Sequence, residues 1–278
     1  MPTTGRIIPV AELHKAEVLR SIPKEDVVKR MRENILAFPN VPRFKCAHTI
    51  NVCGYGSTLK DTWNEIDRNF PVMTTSGAHN FLISKGIIPE FHVECDPRPH
   101  KLTFLKQPHK ACTYLIGSLC DPRMFRRLKR HKVQMWHPLT DAKDEQVELM
   151  REIEYGAHMV GGGSNAGLRA LLLAFHMGYR NFHLFGIDCS YKNKEVWAGE
   201  HSGKPHVMEE VECNGKRFWT SDIMYNAAQD FVELMQSPLL HGCHFMIHGE
   251  SLLFERIVLA QTDMQSAVHN WVKNVRVA

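Results

Sequence analysis

The chain has 278 residues, of which 44% are hydrophobic and 23% charged, with a formal net charge of +4. That composition is ordinary for a folded globular protein and excludes a disordered or collagen-like chain. No apolar run approaches the roughly 20 residues that span a bilayer, and the opening MPTTGRIIPVAELHKAEVL lacks the apolar core of a secretion signal, so a cytoplasmic location is expected. The eight cysteines form no CxxC pair, which argues against a zinc knuckle or a disulfide framework and leaves buried thiols. The mild positive charge favours anionic ligands without demanding nucleic acid.

Residues 1–45 read as a helical extension of a domain running from 46 to 278. Val27 to Phe38 carries apolar residues at Val27, Val28, Met31, Ile35 and Leu36 with charges opposite, and Pro39 closes the stripe. A helix packed on the core is the expectation.

The first strand is predicted over Ala47 to Val52, followed by Cys53-Gly54-Tyr55-Gly56-Ser57-Thr58-Leu59 and a helix from Lys60 to Asn69. Strand, Gly-x-Gly-Ser turn and helix can bring backbone N–H groups and a hydroxyl to a phosphate, or can simply make a tight turn. The third glycine of a dinucleotide fingerprint and the Gly-Lys-Ser/Thr of a P-loop are both missing, which disfavours NAD binding and P-loop ATP hydrolysis.

A second unit follows. Val72 to Thr75 reads as a strand, Ser76-Gly77 as a turn, Ala78 to Lys85 as a helix stopped by Gly86, and Phe91 to Asp96 as a strand ending in an acid. Strands are predicted at Ala111 to Ile116 and Val133 to Trp136, flanking the basic run from Arg123 to Lys132. That run is either a solvated helix face or a patch for phosphate backbones. Thr140 to Ala157 reads as an acidic surface helix.

The most informative stretch is VGGGSNAGLRALLLAFHMGYRNFHLFGIDCSY, residues 160–191. Gly161, Gly162, Gly163, Ser164 and Asn165 open an apolar helix over Leu168 to Met177 that Gly178 ends, and Phe182 to Asp188 is a buried strand finishing on a carboxylate. A Gly-rich turn at a helix start can receive an anion, and a strand-end acid can hold a hydroxyl, a proton or a metal ion. Asp96 and Asp188 would then share the carboxyl rim of a parallel sheet, where such sheets bind ligands.

Tyr191 to Phe218 is polar and broken, as an active-site lid would be, and carries His201 and His206 as candidate general bases. Trp219 to Asp222 caps a helix over Ile223 to Met235, Cys243 to Ile247 is a strand, and Leu252 to Leu259 begins a closing helix. The alternation predicts one Rossmann-like, doubly wound α/β domain with a mostly parallel sheet.

The segments CGYGSTLKDT, TTSGAHNFLISKGIIPEFHVECDPRPH, GGGSNAGLRALLLAFHMGYRNFHLFGIDCSY and WTSDIMY together resemble the DUF115 superfamily over about residues 47–260. That superfamily includes the MptE-like 6-hydroxymethylpterin diphosphokinases and the Maf flagellin-glycosylation proteins, and it is similar in pattern to CstII-type bacterial sialyltransferases. The resemblance implies a nucleotide-dependent transferase. By motif position it puts Gly54, Gly56 and Ser57 near phosphate, Ser76 and Asn80 near nucleotide or sugar, and Ser164 and Asn165 near phosphate or base, with Gly162 and Gly163 in the same turn. The lid histidine of the sialyltransferases has no counterpart around Phe218 to Thr220, leaving His201 and His206 as substitutes by proximity. In the diphosphokinases, acids such as Asp96 and Asp188 would serve Mg²⁺ and a triphosphate. The leading expectation is a glycosyltransferase using a nucleotide sugar, with a lid histidine or Asp188 deprotonating the acceptor. The alternatives are diphosphokinase chemistry from ATP, and a non-catalytic nucleotide- or nucleic-acid-binding protein. The acceptor is open among glycan, protein, pterin and DNA.

Overall fold

Short apolar strands separated by glycine turns and helices dictate the architecture. The structure, a computed structural model, describes residues 22–38, 48–140, 143–153, 159–193, 195, 197–198 and 207–261. Ten strands occur among them: β1 (Thr49–Cys53), β2 (Val72–Thr75), β3 (Phe91–Glu94), β4 (Thr113–Gly117), β5 (Lys132–Pro138), β6 (Met159–Val160), β7 (Asn181–Phe185), β8 (Glu209–Cys213), β9 (Lys216–Thr220) and β10 (His244–His248). Eight of them form one sheet in the order β10-β7-β1-β2-β3-β4-β5-β6, with every neighbouring pair parallel.

The helices divide between the two faces because the strands are apolar on both sides, as a parallel sheet requires. Ile50, Val52, Met73, Val93, Leu115, Trp136, Phe182 and Leu184 face α6 (Ala166–His176), α7 (Asp222–Gln236) and the closing helix over 252–261. The alternate residues pack the other way. Tyr114, Ile116 and Met135 meet α1 (Lys24–Ala37), α4 (Pro122–Arg127) and α5 (Lys143–Glu152), while Cys53, Val72 and Phe185 meet α2 (Leu59–Thr62) and α3 (Ala78–Ser84).

The predicted doubly wound α/β fold is therefore present, with an amino-terminal helix added to it. Val27, Met31 and Ile35 of the predicted α1 stripe are buried and Val28 is half-buried, but Leu36 is 69% exposed because it lies off the packed face, and Asn34 donates to the Ser118 and Cys120 carbonyls at 2.7 and 2.9 Å. The chain steps outward from β1 to β6, then α6 crosses back so that β7 lies on the other side of β1. The β1/β7 boundary is thus the point where the winding reverses.

Two expectations need correction, and one short strand was not expected at all. The helix after β1 is only α2 followed by a 3₁₀ turn at Trp63–Glu65, because Asn51 takes the Asp67 and Phe70 carbonyls and the Asp67 side chain takes the Asn69 amide. Within the supposedly irregular 191–218 segment, β8 and β9 form an antiparallel hairpin whose turn residues Asn214 and Gly215 both have positive φ, at 54° and 73°. The two-residue β6 had no legible signal.

Candidate functional site

The rim begins where β1 ends. Gly54 N donates to the Phe185 carbonyl and Gly56 N to the Gly186 carbonyl, both at 2.8 Å. A side chain at Gly54 would overlap the Gly186 carbonyl, and one at Gly186, whose φ is 58°, would lie 2.6 Å from the Gly54 carbonyl. These glycines let the ends of β1 and β7 touch, and two of the turn's amides are engaged by β7.

Asp188 closes the same turn from below. Its carboxylate accepts from Thr58 N at 2.9 Å, from Thr58 Oγ1 at 2.5 Å and from Ser57 Oγ at 3.5 Å, and a Cβ on Gly56 would come within 2.6 Å of it. Asp188 is buried, and burial pushes its carboxyl up to about 6 against the lowering pull of Thr58, Ser57 and Lys192. The acid expected to meet substrate therefore faces protein donors.

The second glycine turn sits on the other side of the same segment. Gly162 and Gly163 have φ values of 88° and 79°, and a Cβ on Gly163 would meet Arg169 N at 2.9 Å. Asn165 caps α6 by accepting from Leu168 N at 2.9 Å and also partners the Cys189 thiol. Gly167 packs against Ile187, where a Cβ would lie 3.0 Å away. The residues of 186–189 thus alternate: Gly186 and Asp188 hold the 54–58 turn, while Ile187 and Cys189 hold the start of α6. Ser164 Oγ is buried without a hydrogen-bond partner among the described residues.

At β2, Ser76 has a φ of 49° and the Tyr55 ring fills the space a Gly77 side chain would need, so the β2 turn packs against the 54–58 turn. Asn80, in the first turn of α3, contacts His79 at 3.3 Å. Beyond β3, Asp96 is held by Arg98 at 2.5–3.0 Å and by Lys101 Nζ at 3.3 Å. Burial pushes the Asp96 carboxyl up, and the two cations outweigh it and hold the acid below its ordinary range.

Two rim residues were missed in the sequence. Glu94 is fully buried, accepts from Cys95 N and Asp96 N, and is raised by burial despite nearby Lys101. Arg169 lies in the first turn of α6, where the helix dipole disfavours a cation, and donates to the Gly163 carbonyl at 3.1 Å within reach of Cys95. The dipole argument could have singled it out: a cation in a first helical turn invites a reason.

The lid candidates divide. His201 and His206 lie outside the described residues. Tyr191 N donates to the Trp219 carbonyl at 2.7 Å, and Ala198 N reaches the Tyr55 carbonyl at 3.1 Å, bringing residue 198 back to the rim. In the basic run, Arg123 pairs with Asp121 and Arg127 donates to the Leu105 and Lys106 carbonyls.

A resident Mg²⁺ does not fit the described residues. Both expected acids are occupied by protein donors, and no group of three or more His, Cys, Asp or Glu side chains among the described residues could hold a metal ion. No helix among them is long and apolar enough to cross a membrane. Among the described residues, cavities of about 400 and 420 Å³ lie at the amino end of β5 and between α1 and α5, away from the rim.

A family model described as 6-hydroxymethylpterin diphosphokinase MptE-like matches residues 25–194. The chain belongs to the MptE-like family. That match takes in α1, β1 to β7 and both glycine turns of this MptE-like protein. Among solved structures it is similar to the Maf glycosyltransferase from Magnetospirillum magneticum AMB-1, with 15% identity, a TM-score of 0.58, and coverage of 83% of this chain and 39% of that one. It is also similar to the sialyltransferase CstII from Campylobacter jejuni, solved with cytidine-5′-monophosphate, with 14% identity, a TM-score of 0.44 and coverage of 77% and 85%. The likeness to the Maf glycosyltransferase concerns the fold alone. No curated protein matches the MptE-like chain.

Proposed function

We propose that the chain is a nucleotide-dependent transferase that receives its donor's phosphates on the carboxyl rim, beside the β1/β7 boundary. One observation carries the reading: segment 186–189 holds the 54–58 turn on one side and the start of α6 on the other, at the place where the winding of the sheet reverses. Open α/β sheets take their ligands in that crevice, because diverging helices leave it uncovered. The start of α6, with Gly162, Gly163, Ser164 and Asn165, would offer its dipole to a phosphate, and Arg169, Arg98 and Lys101 would balance the charge. Ser76 and Asn80 would face the rest of the donor, while Ser57, buried and bonded to Asp188 and Lys192, would hold the turn in place.

Pyrophosphoryl transfer from ATP to a hydroxymethyl acceptor leads, because the family match spans every one of these residues. The acceptor oxygen would attack the β-phosphorus while the bond from that phosphorus to the α-phosphate oxygen breaks. AMP leaves, the diphosphate stays on the acceptor, and the hydroxyl proton passes to a base, for which His201 and His206 are candidates. Glycosyl transfer from a nucleotide sugar is the second reading, favoured by the occupied carboxylates of Asp96 and Asp188, which offer no open metal ligand. The fold shared with the Maf glycosyltransferase is compatible with it.

Product analysis separates the two. Incubation with ATP and 6-hydroxymethylpterin should release AMP and form the pterin diphosphate. Release of free nucleotide only from a nucleotide sugar would transfer the assignment to the second reading, and no product from either donor would sink both.

A further inference from the structure

The contacts around Asp188 go further than those of a strand-end acid. Its carboxylate takes the amide and hydroxyl of Thr58 and lies 3.5 Å from Ser57 Oγ. Ser57 Oγ in turn accepts from Lys192 N at 3.1 Å. The main-chain carbonyl of Asp188 accepts from Leu253 N at 3.0 Å, and Ser190 Oγ accepts from Leu252 N at 3.1 Å, which brings in the closing helix. Two segments distant in sequence, 57–58 and 252–253, therefore meet on three alternate positions, 188, 190 and 192.

We infer that Asp188 is a positioning residue that fixes the 54–58 turn and the segment from 189 to 192 as one unit, and that it touches neither a metal ion nor the substrate. This deepens the transferase reading by giving the acid a task other than the metal or proton chemistry its strand-end position suggests. The carboxylate acts as the turn's own resident anion. The Thr58 amide and hydroxyl that a phosphate would use in a free turn are taken by it, and donor phosphates are left to the start of α6. Gly56 is part of the same device, since any side chain there would collide with the carboxylate. The segment from 189 to 192 then inherits the position of the turn through Ser57, so neither can shift without the other.

Amide hydrogen exchange and nucleotide affinity test this together, using the full chain and the variants Asp188→Asn, Thr58→Val and Thr58→Ser. Hydrogen bonds to a buried carboxylate are strong enough that losing one should speed local exchange by about tenfold or more. Exchange should rise in step over 54–60 and 189–193 in Asp188→Asn and Thr58→Val, with β3 and β4 unchanged and Thr58→Ser close to the parent. ATP affinity should fall by the same factor with and without Mg²⁺. A loss of affinity confined to Mg²⁺ solutions, with exchange unaltered, would make Asp188 a metal ligand and overturn the inference. Independent responses of the two segments would overturn it too. Should the parent bind no nucleotide, the transferase reading falls while the exchange data still decide the role of Asp188. Should Asp188→Asn fail to fold, Thr58→Val breaks the same contact with the acid retained.

Discussion

Lowering the pH from 7 to 5 should destabilise this fold through histidines held neutral inside it. His79 and His137 are buried, and burial pushes both rings from an ordinary 6.5 down to about 4; His92, also fully buried, is pushed well below its ordinary value. A base whose folded pKa is depressed is favoured neutral, so its contribution is fully present above about 6.5 and is lost as pH falls toward the folded value. For one ring shifted from 6.5 to about 4, the loss between pH 7 and 5 is about 2 kcal/mol. Asp188 works in the opposite sense. Its folded carboxyl is raised to about 6, so protonating it at pH 5 relieves a buried charge and restores about 1 kcal/mol. With two rings against Asp188 the net loss is about 2–3 kcal/mol; His92 adds to it, and the buried Glu94 carboxyl, also raised, offsets part of it in the sense of Asp188. That is a large part of a typical total stability of about 5–15 kcal/mol.

Urea denaturation at both pH values and fixed ionic strength measures the difference directly. His79→Phe keeps a ring of similar shape, leaves Tyr114 OH its bond from His109 N at 2.7 Å, and should shrink the pH difference by about 2 kcal/mol. A parent protein equally stable at pH 5 and 7, or a variant with an unchanged pH difference, would refute the reasoning.

Other substitutions probe the rim. Gly56→Ala puts a methyl 2.6 Å from the Asp188 carboxylate and 2.7 Å from the Gly186 carbonyl, and should cost about 1–3 kcal/mol in denaturation while weakening nucleotide binding. Gly186→Ala adds a left-handed φ of 58° to a collision with the Gly54 carbonyl and should destabilise at least as much, read as a lowered melting temperature. Asn165→Ala removes the α6 cap at a cost of about 1 kcal/mol, and calorimetry should show weaker donor binding. Gly215→Ala, at a φ of 73° with nothing within 4 Å, should cost about 1 kcal/mol through backbone strain alone and leave nucleotide affinity unchanged.

Much of the fold was legible because parallel strands and glycine turns leave local marks. The alternation around Ile50, Val52 and Leu184, the α6 sequence and its Asn165 cap, and the Ser221 cap of α7, which accepts from Met224 N, all follow from spacing and capping chemistry. The hairpin of β8 and β9 was legible in principle, since Asn214-Gly215 is a strong two-residue turn signal. It was passed over because its flanking residues are polar. What the sequence could not show is what its acids touch. Asp188 meets a threonine 130 positions away, and Asp96 is neutralised by Arg98 and Lys101 through a turn whose course no local pattern dictates. Glu94 ends β3, and its burial comes from pairing with Ile116 of β4 and from the turn whose Cys95 and Asp96 amides it accepts, none of which a local pattern dictates.

The central claim is that the start of α6, held beside the 54–58 turn by segment 186–189, receives a nucleotide's phosphates. Isothermal titration of the full chain with ATP, CTP, CMP, UDP and GDP in turn, repeated on Gly56→Ala and Gly163→Ala after their folding is checked by circular dichroism, tests it most directly. At least one nucleotide should bind the parent, and both variants should weaken it. Binding of none, or binding that neither variant alters, would contradict the account.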